Sequence, residues 1–435
     1  MLAILFAAAV SFYPCEVQEV KVQCGGTFRA SDGVPLHFVV LPAKEKSSDA
    51  LFILAGGPGV GATNMTSFVS GTFTNIGRDV VLVDARGTGK SNPLKCEQPP
   101  DDPFADLFEP ARMAACRDQL AKTSDLTRYT TRHVVEDLET VRKALGYRTV
   151  TLYGTSYGTR VAQEYMRRYP KNIRAVILDG VVPPSAAMPS HYAPYADRSL
   201  QRVLAICKRD DACRAAYPDL DADLAKMLAA ADRGIEIDGH TLRRGFFGEA
   251  FRNFLYSPSA YSQLPLVIHS AANGDWTRLA DMARNYSRNI RSIELGFFLS
   301  VTCAEDIPRV NEAAVRATAK GTLLGTYRLD QQLGACRVWP RAAVDKASTQ
   351  PVRSPIPTLL LSGEVDPVTP PEFGDEVAKT LKHALHVVVP EGSHGGTDAC
   401  MDALLSEFVR EGSVDALQTA CVKESKHPPF VTKTP

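Results

Sequence analysis

The chain has no apolar run long enough to span a bilayer. The run that opens it, MLAILFAAAV, is about half the length of a membrane-crossing helix, and membrane insertion is not expected. It has no surplus of charge. Lys plus Arg equals Asp plus Glu at 49 each, which argues against nucleic acid or an anionic membrane as the main partner. No Cys-x-x-Cys pair occurs and no cysteine lies near paired histidines, so neither a structural zinc site nor any other metal is expected. There is no internal repeat and no low-complexity linker. What remains is an ordinary globular composition, 45% apolar and 23% charged. A length of 435 residues calls for two or three domains, or for one large α/β domain with an insertion.

The N-terminal run also reads as the apolar part of a secretory signal, with Ala7-Ala8-Ala9 as a small-residue cleavage pattern. No Lys or Arg precedes it, so residues 1–11 read as a signal-peptide remnant; a buried first strand or helix is the alternative. Ten cysteines, an even number, fit an exported protein, secreted or periplasmic. Pairing them in sequence order closes five short loops: Cys15 with Cys24, Cys96 with Cys116, Cys207 with Cys213, Cys303 with Cys336, and Cys400 with Cys421.

Short β-rich runs come first, at 17–23, 36–40, 51–54 and 80–83. Strands then alternate with helices. HVVEDLETVRKAL places Val134, Val135, Leu138, Val141 and Leu145 on one helical face and stops at Gly146; its acids and arginines read as a solvated face. TVTLY is a strand, 157–169 a helix ended by Pro170, and RAVILDG another strand. This alternation implies a parallel sheet covered on both faces. It breaks at about Pro183 and resumes near Arg353 with SPIPTLLLSGEVDP and ALHVVVPEGSHGG, so about 170 mainly helical residues are inserted between strands of one sheet.

Between strand TVTLY and the next helix lies Gly154-Thr155-Ser156-Tyr157-Gly158, a G-x-S-x-G pattern. On a sharp strand-to-helix turn it exposes a strained serine, and a side chain at either glycine would strike the neighbouring backbone. A serine hydroxyl needs a base, and the base needs an orienting acid. The order Ser, acid, His after successive strands selects Asp366, in LLLSGEVDPVTP, and His394, in VVVPEGSHGG. Asp179 is the rival acid, and His133, His383 and His386 lie in or beside regular elements. For an oxyanion hole the donors would be the N–H groups of Tyr157 and Gly57, with Gly56 behind; Pro58 has no N–H. GPGVGA with Asp84 imitates a dinucleotide fingerprint, but TNMTSFVSGTFTNIG is a poor helix for a pyrophosphate, and GTGKS lacks the first glycine of a phosphate loop. No cofactor is called for.

Together, GGPG at 56–59, DARGTGKS at 84–91, GTSYGTR, GEVDP and GSHG resemble the prolyl iminopeptidase and tripeptidyl aminopeptidase group of α/β-hydrolases. That group usually has His before GGPG and often Gln between the Asp and Arg of the second motif; here Ala55 and Ala85 stand there. The resemblance implies an α/β-hydrolase fold, with a mainly parallel sheet built from 12–183 and 354–435 and a helical cap over 184–353. It also implies a peptidase acting on peptides with a free N-terminus. The residues alone imply a serine hydrolase using an acyl-enzyme. A secreted carboxylesterase on the same scaffold is the alternative, and a non-catalytic binding module is disfavoured by the intact triad. A pocket selecting a cationic α-amine needs buried or half-buried carboxylates. Glu305 and Asp306, in LSVTCAEDIP beside Cys303, are the candidates, Glu305 ahead; the plainer alternative is a helix cap or an arginine pair.

Overall fold

The structure, a computed structural model, describes residues 10–25, 28–45, 47–97, 104–396 and 398–432. The signal expectation for 1–11 therefore lies outside the described residues in all but its last two positions.

Nine strands form one mixed, mainly parallel sheet: β1 (Phe12–Val17), β2 (Val20–Gly25), β3 (Phe38–Leu41), β4 (Asp49–Leu54), β5 (Asp79–Val83), β6 (Thr149–Thr155), β7 (Ile173–Asp179), β8 (Thr358–Gly363) and β9 (Ala384–Val389). Their spatial order is β1-β2-β3-β5-β4-β6-β7-β8-β9. The first three pair antiparallel, β3 joins β5 antiparallel, and every pair from β5 to β9 is parallel. Central strands are mainly apolar because both faces are covered: DALFIL of β4 is buried at every residue, Asp49 included. Strand alternation sorts its side chains. Phe52 and Leu54 join an apolar layer with Val135, Leu138 and Val161; Leu51 and Ile53 face Val69, Leu404 and Phe408 on the other side.

Three expectations change. The run 17–23 is not one strand: Gln18 and Glu19 adopt φ 51° and 63°, so β1 and β2 form a hairpin, with no Gly, Asn or Pro to announce the turn. Residues Thr66–Thr72 are helical despite their composition, because Thr66, Val69 and Thr72 are buried on one side. The charged residues of helix α1 (Thr131–Leu145) are not all solvated. Asp137 takes the guanidinium of Arg86 at 2.6 Å, and Glu139 takes Arg142 at 2.7 Å and the hydroxyl of Tyr165 at 2.7 Å, all buried.

Helix α2 (Tyr157–Arg168) follows β6. Between β7 and β8 the chain is mainly helical, including α3 (Arg244–Phe254) and α4 (Leu295–Glu305), with one small hairpin at Ile235–Ile237 and His240–Leu242. Much of this segment has its own apolar cluster, around Leu204, Phe247, Phe251 and Leu264. Helix α4 instead packs Leu295, Phe298 and Val301 into the layer covering the sheet. All ten cysteines are disulfide-bonded in the five pairs taken in sequence order. Among the described residues no helix is long and apolar enough to cross a membrane.

Candidate active site

Strand β6 ends in an abrupt reversal. Ser156 has φ 53° and ψ −120°, a conformation costly for a residue with a Cβ. It is held there by its N–H, which donates to Asp179 O at 2.8 Å. A Cβ at Gly154 would collide with the carbonyl of Gly158, and one at Gly158 with the carbonyl of Leu54, so helix α2 can start this close to β4 only without side chains at both positions.

Asp366 lies just beyond β8 and His394 beyond β9. Imidazole Nδ1 is 2.8 Å from Asp366 Oδ2. An ionised carboxylate only accepts, so Nδ1 carries the proton and Nε2 is left as the basic nitrogen. Asp366 is saturated. Its Oδ1 accepts the N–H groups of Val368 and Thr369 at 2.7 and 2.8 Å, and its Oδ2 also accepts the Thr369 hydroxyl at 2.7 Å. Burial pushes the Asp366 carboxyl up, but the charge and hydrogen bond of His394, with those from Thr369, outweigh it and hold it below its usual range. Burial likewise pushes His394 down, and the charge and hydrogen bond of Asp366 more than reverse this, raising it. Ser156 Oγ forms no hydrogen bond to His394 in this structure.

The rival groups are otherwise engaged. Asp179 Oδ2 accepts the Tyr153 hydroxyl at 2.7 Å, and burial raises its carboxyl. His133 Nδ1 meets Thr130 Oγ1 at 2.8 Å, His386 sits between Asp375 and Ser362, and His383 is exposed. Asp84 is spent inside the protein, accepting from Thr63 N–H and Lys90 N–H at 2.9 and 3.0 Å, which ties the loop after β4 to the loop after β5.

The loop after β4 lies against the serine: a Cβ on Gly56 would come 3.0 Å from Ser156 Cβ. Gly57 has φ 112°, in the region only glycine adopts freely. Neither its N–H nor that of Tyr157, at the first position of α2, has an acceptor among the described residues. Gly57, Ser156, Tyr157, Arg160, Tyr256 and Asp306 share the wall of one cavity.

The two acids part company. Both oxygens of Glu305 are taken by Thr131, Oε1 by its N–H and Oε2 by its hydroxyl, each at 2.7 Å. Glu305 thus satisfies a free N–H in the first turn of α1 and lines a different cavity, beside Thr131 and Arg309. Asp306 is the acid in the Ser156 cavity, and Arg160 Nη1 pairs with it at 3.0 Å. Glu305 thus takes the position of the plainer alternative, a helix cap, while Asp306 is the acid that lines the Ser156 cavity. Sequence reading missed Thr369, Arg160 and Tyr256. Thr369 stands in the quoted DPVT and Arg160 in GTSYGTR, where only the i+4 spacing from Ser156 signals a shared face; Tyr256 carries no motif.

The chain resembles known proteins in both sequence and fold. A family model described as "alpha/beta hydrolase fold" matches residues 49–396. The chain is 25% identical over 95% of its length to the "Serine protease Hip1" of Mycobacterium tuberculosis, covering 91% of that protein. It is 23% identical over 87% of its length to the "Tripeptidyl aminopeptidase" of Streptomyces lividans, covering 78% of it. Among solved structures, a proline iminopeptidase from Mycobacterium smegmatis aligns over 92% of this chain and 98% of that one, with TM-score 0.45 and 16% identity.

Proposed function

The chain belongs to the α/β-hydrolase fold family, and on that premise we propose that it is an exported serine aminopeptidase releasing one or more residues from the free N-terminus of peptides. The hydrolase part rests on one observation above all: the His394–Asp366 hydrogen bond at 2.8 Å, in a chain whose Ser156 stands on a strained turn at the end of β6. In this reading His394 Nε2 takes the proton of Ser156 Oγ as it attacks the scissile carbonyl, then returns it to the leaving amine. The N–H groups of Gly57 and Tyr157 stabilise the oxyanion. A water activated by the same histidine then hydrolyses the acyl-enzyme. Asp366 keeps the imidazole in its Nδ1–H tautomer and stabilises the imidazolium; Thr369 fixes Asp366. Residues 184–353 serve as a cap, contributing Tyr192, Tyr256 and Asp306 to the cavity wall.

The peptidase part is supported by relatives named as serine protease and tripeptidyl aminopeptidase, which the chain matches over most of its length. It is supported too by Asp306, a carboxylate in the Ser156 cavity that can receive an ammonium. Export is supported by the five disulfides, which persist in oxidising compartments.

The second reading, a carboxylesterase, is favoured by two contacts: Asp306 is already paired with Arg160 at 3.0 Å and with Arg309 at 3.5 Å, so an incoming amine must share it. Rates on tripeptidyl, Ala and Pro arylamides, their N-blocked forms and short acyl esters separate the two. Preference for free over blocked amines supports the aminopeptidase; equal cleavage of both, with faster esters, gives the site to the esterase.

A further inference from the structure

We propose that Tyr256 is a substrate-positioning residue whose hydroxyl donates to an acceptor oxygen one residue away from the scissile bond, and that Arg252 holds it in that role. The proposal rests on the hydrolase reading of the Ser156 cavity and adds a specificity contact on its cap side.

Tyr256 follows α3 by two residues and lines the Ser156 cavity. Its ring meets the His394 ring edge-on at 4.7 Å between centroids. The backbone around it is fastened to the histidine loop: Ser393 Oγ–H donates to Leu255 O, and the Tyr261 hydroxyl donates to Glu391 O at 2.7 Å. Behind the ring, Arg252 Nη1–H donates to Tyr256 Oη at 2.8 Å. That bond uses an oxygen lone pair and leaves the phenolic proton, for which no acceptor is found among the described residues. A hydroxyl that accepts from a cation is a stronger donor for its own proton.

Arg252 is itself held fast. Glu249 pairs with its Nη2 at 2.7 Å, and its guanidinium lies over the rings of Tyr192 and Tyr256 at 4.8 and 5.6 Å. Arg328 Nη1 is 4.0 Å from the same Glu249 oxygen, so two buried cations face one carboxylate. Such a surplus is costly in a core. Here it stands behind Tyr192 and Tyr256, both in the cavity wall, and there it favours an electron-rich group in the cavity: a peptide carbonyl oxygen next to the one being attacked.

The test compares 4-nitrophenyl butyrate, which has only the scissile carbonyl, with the 4-nitrophenyl ester of N-acetylalanine, which has a second one. Tyr256→Phe keeps the ring on His394 and removes the hydroxyl. It should lower kcat/KM about tenfold on the acetylalanine ester and less than about twofold on butyrate, the size of one hydrogen bond to substrate. Arg252→Gln should show the same selectivity alone and add nothing to Tyr256→Phe, as expected for residues acting through one contact. Equal losses on both esters, or additive effects in the double variant, would overturn the proposal. If melting curves show Arg252→Gln to be unfolded, the ester ratio for Tyr256→Phe alone decides. Neither ester has a free amine, so a failure of the aminopeptidase reading appears only in the arylamide rates and leaves this result interpretable.

Discussion

At the scale of the residue, the chemistry depends on which carboxylate serves His394. Asp366 accepts its Nδ1–H at 2.8 Å, whereas Asp179 is committed to the Tyr153 hydroxyl. Asp366→Asn should cut kcat by several powers of ten, as loss of the orienting acid does in other triads, and Asp179→Asn by much less. A larger loss from Asp179→Asn would assign the acid to β7. The same pair governs pH. His394 titrates above its ordinary 6.5 because Asp366 outweighs burial. A base must be neutral, so kcat/KM should fall as pH drops through a midpoint above 6.5. In stability the signs run the other way. A raised histidine contributes stability in full below its unfolded value and loses it as pH rises through its folded one; depressed Asp366 contributes above 3.8 and loses it in acid. The protein should therefore gain activity over the pH range in which the ion pair ceases to stabilise it, which parallel rate and melting profiles would check. A rate midpoint below 6.5 would contradict the charge coupling.

At the scale of the element, the strand–turn–helix around Ser156 was legible from five residues, because G-x-S-x-G states a steric requirement. Gly158→Ala, whose Cβ would strike Leu54 O, should destabilise the protein by about 2–3 kcal/mol or prevent folding. Near-normal melting would mean that α2 can retreat from β4. The partners of Glu305 and of the charges in α1 were not legible, since they are distant in sequence: Thr131 is 174 residues from Glu305, and Arg86 is 51 from Asp137. Periodicity gives the buried face of a helix but not which charged residues find a buried partner. Glu305→Gln should cost about 1–3 kcal/mol in stability while leaving ester hydrolysis nearly unchanged. Asp306→Asn should raise KM for free-amine peptides only. Were Glu305→Gln to raise that KM without lowering the melting point, the two acids would have to exchange roles. The β1–β2 turn escaped notice because Gln18-Glu19 takes up left-handed angles without the residues that favour them.

At the scale of the whole molecule, alternation of strands and helices foretold the mainly parallel sheet, and cysteine order foretold all five disulfides, each between neighbours in sequence. How the helices between β7 and β8 attach could not be read the same way. That α4 joins the layer covering the sheet while α3 joins a separate cluster depends on tertiary packing that no local pattern encodes. Cys303–Cys336 fastens α4 two residues before Glu305. Reduction should lower the melting point, each short loop being worth about 2–4 kcal/mol in the chain-entropy model. Free thiols at most positions in the native protein would refute both the pairing and export. The central claim is that Ser156 is the nucleophile of a serine hydrolase. Its most direct test is mass spectrometry of the protein and of Ser156→Ala after treatment with a fluorophosphonate. The expected result is one phosphonyl adduct, on the peptide containing Ser156, with hydrolysis abolished in step, and neither adduct nor hydrolysis in Ser156→Ala. An adduct on another residue, or near-normal hydrolysis by Ser156→Ala, would contradict it.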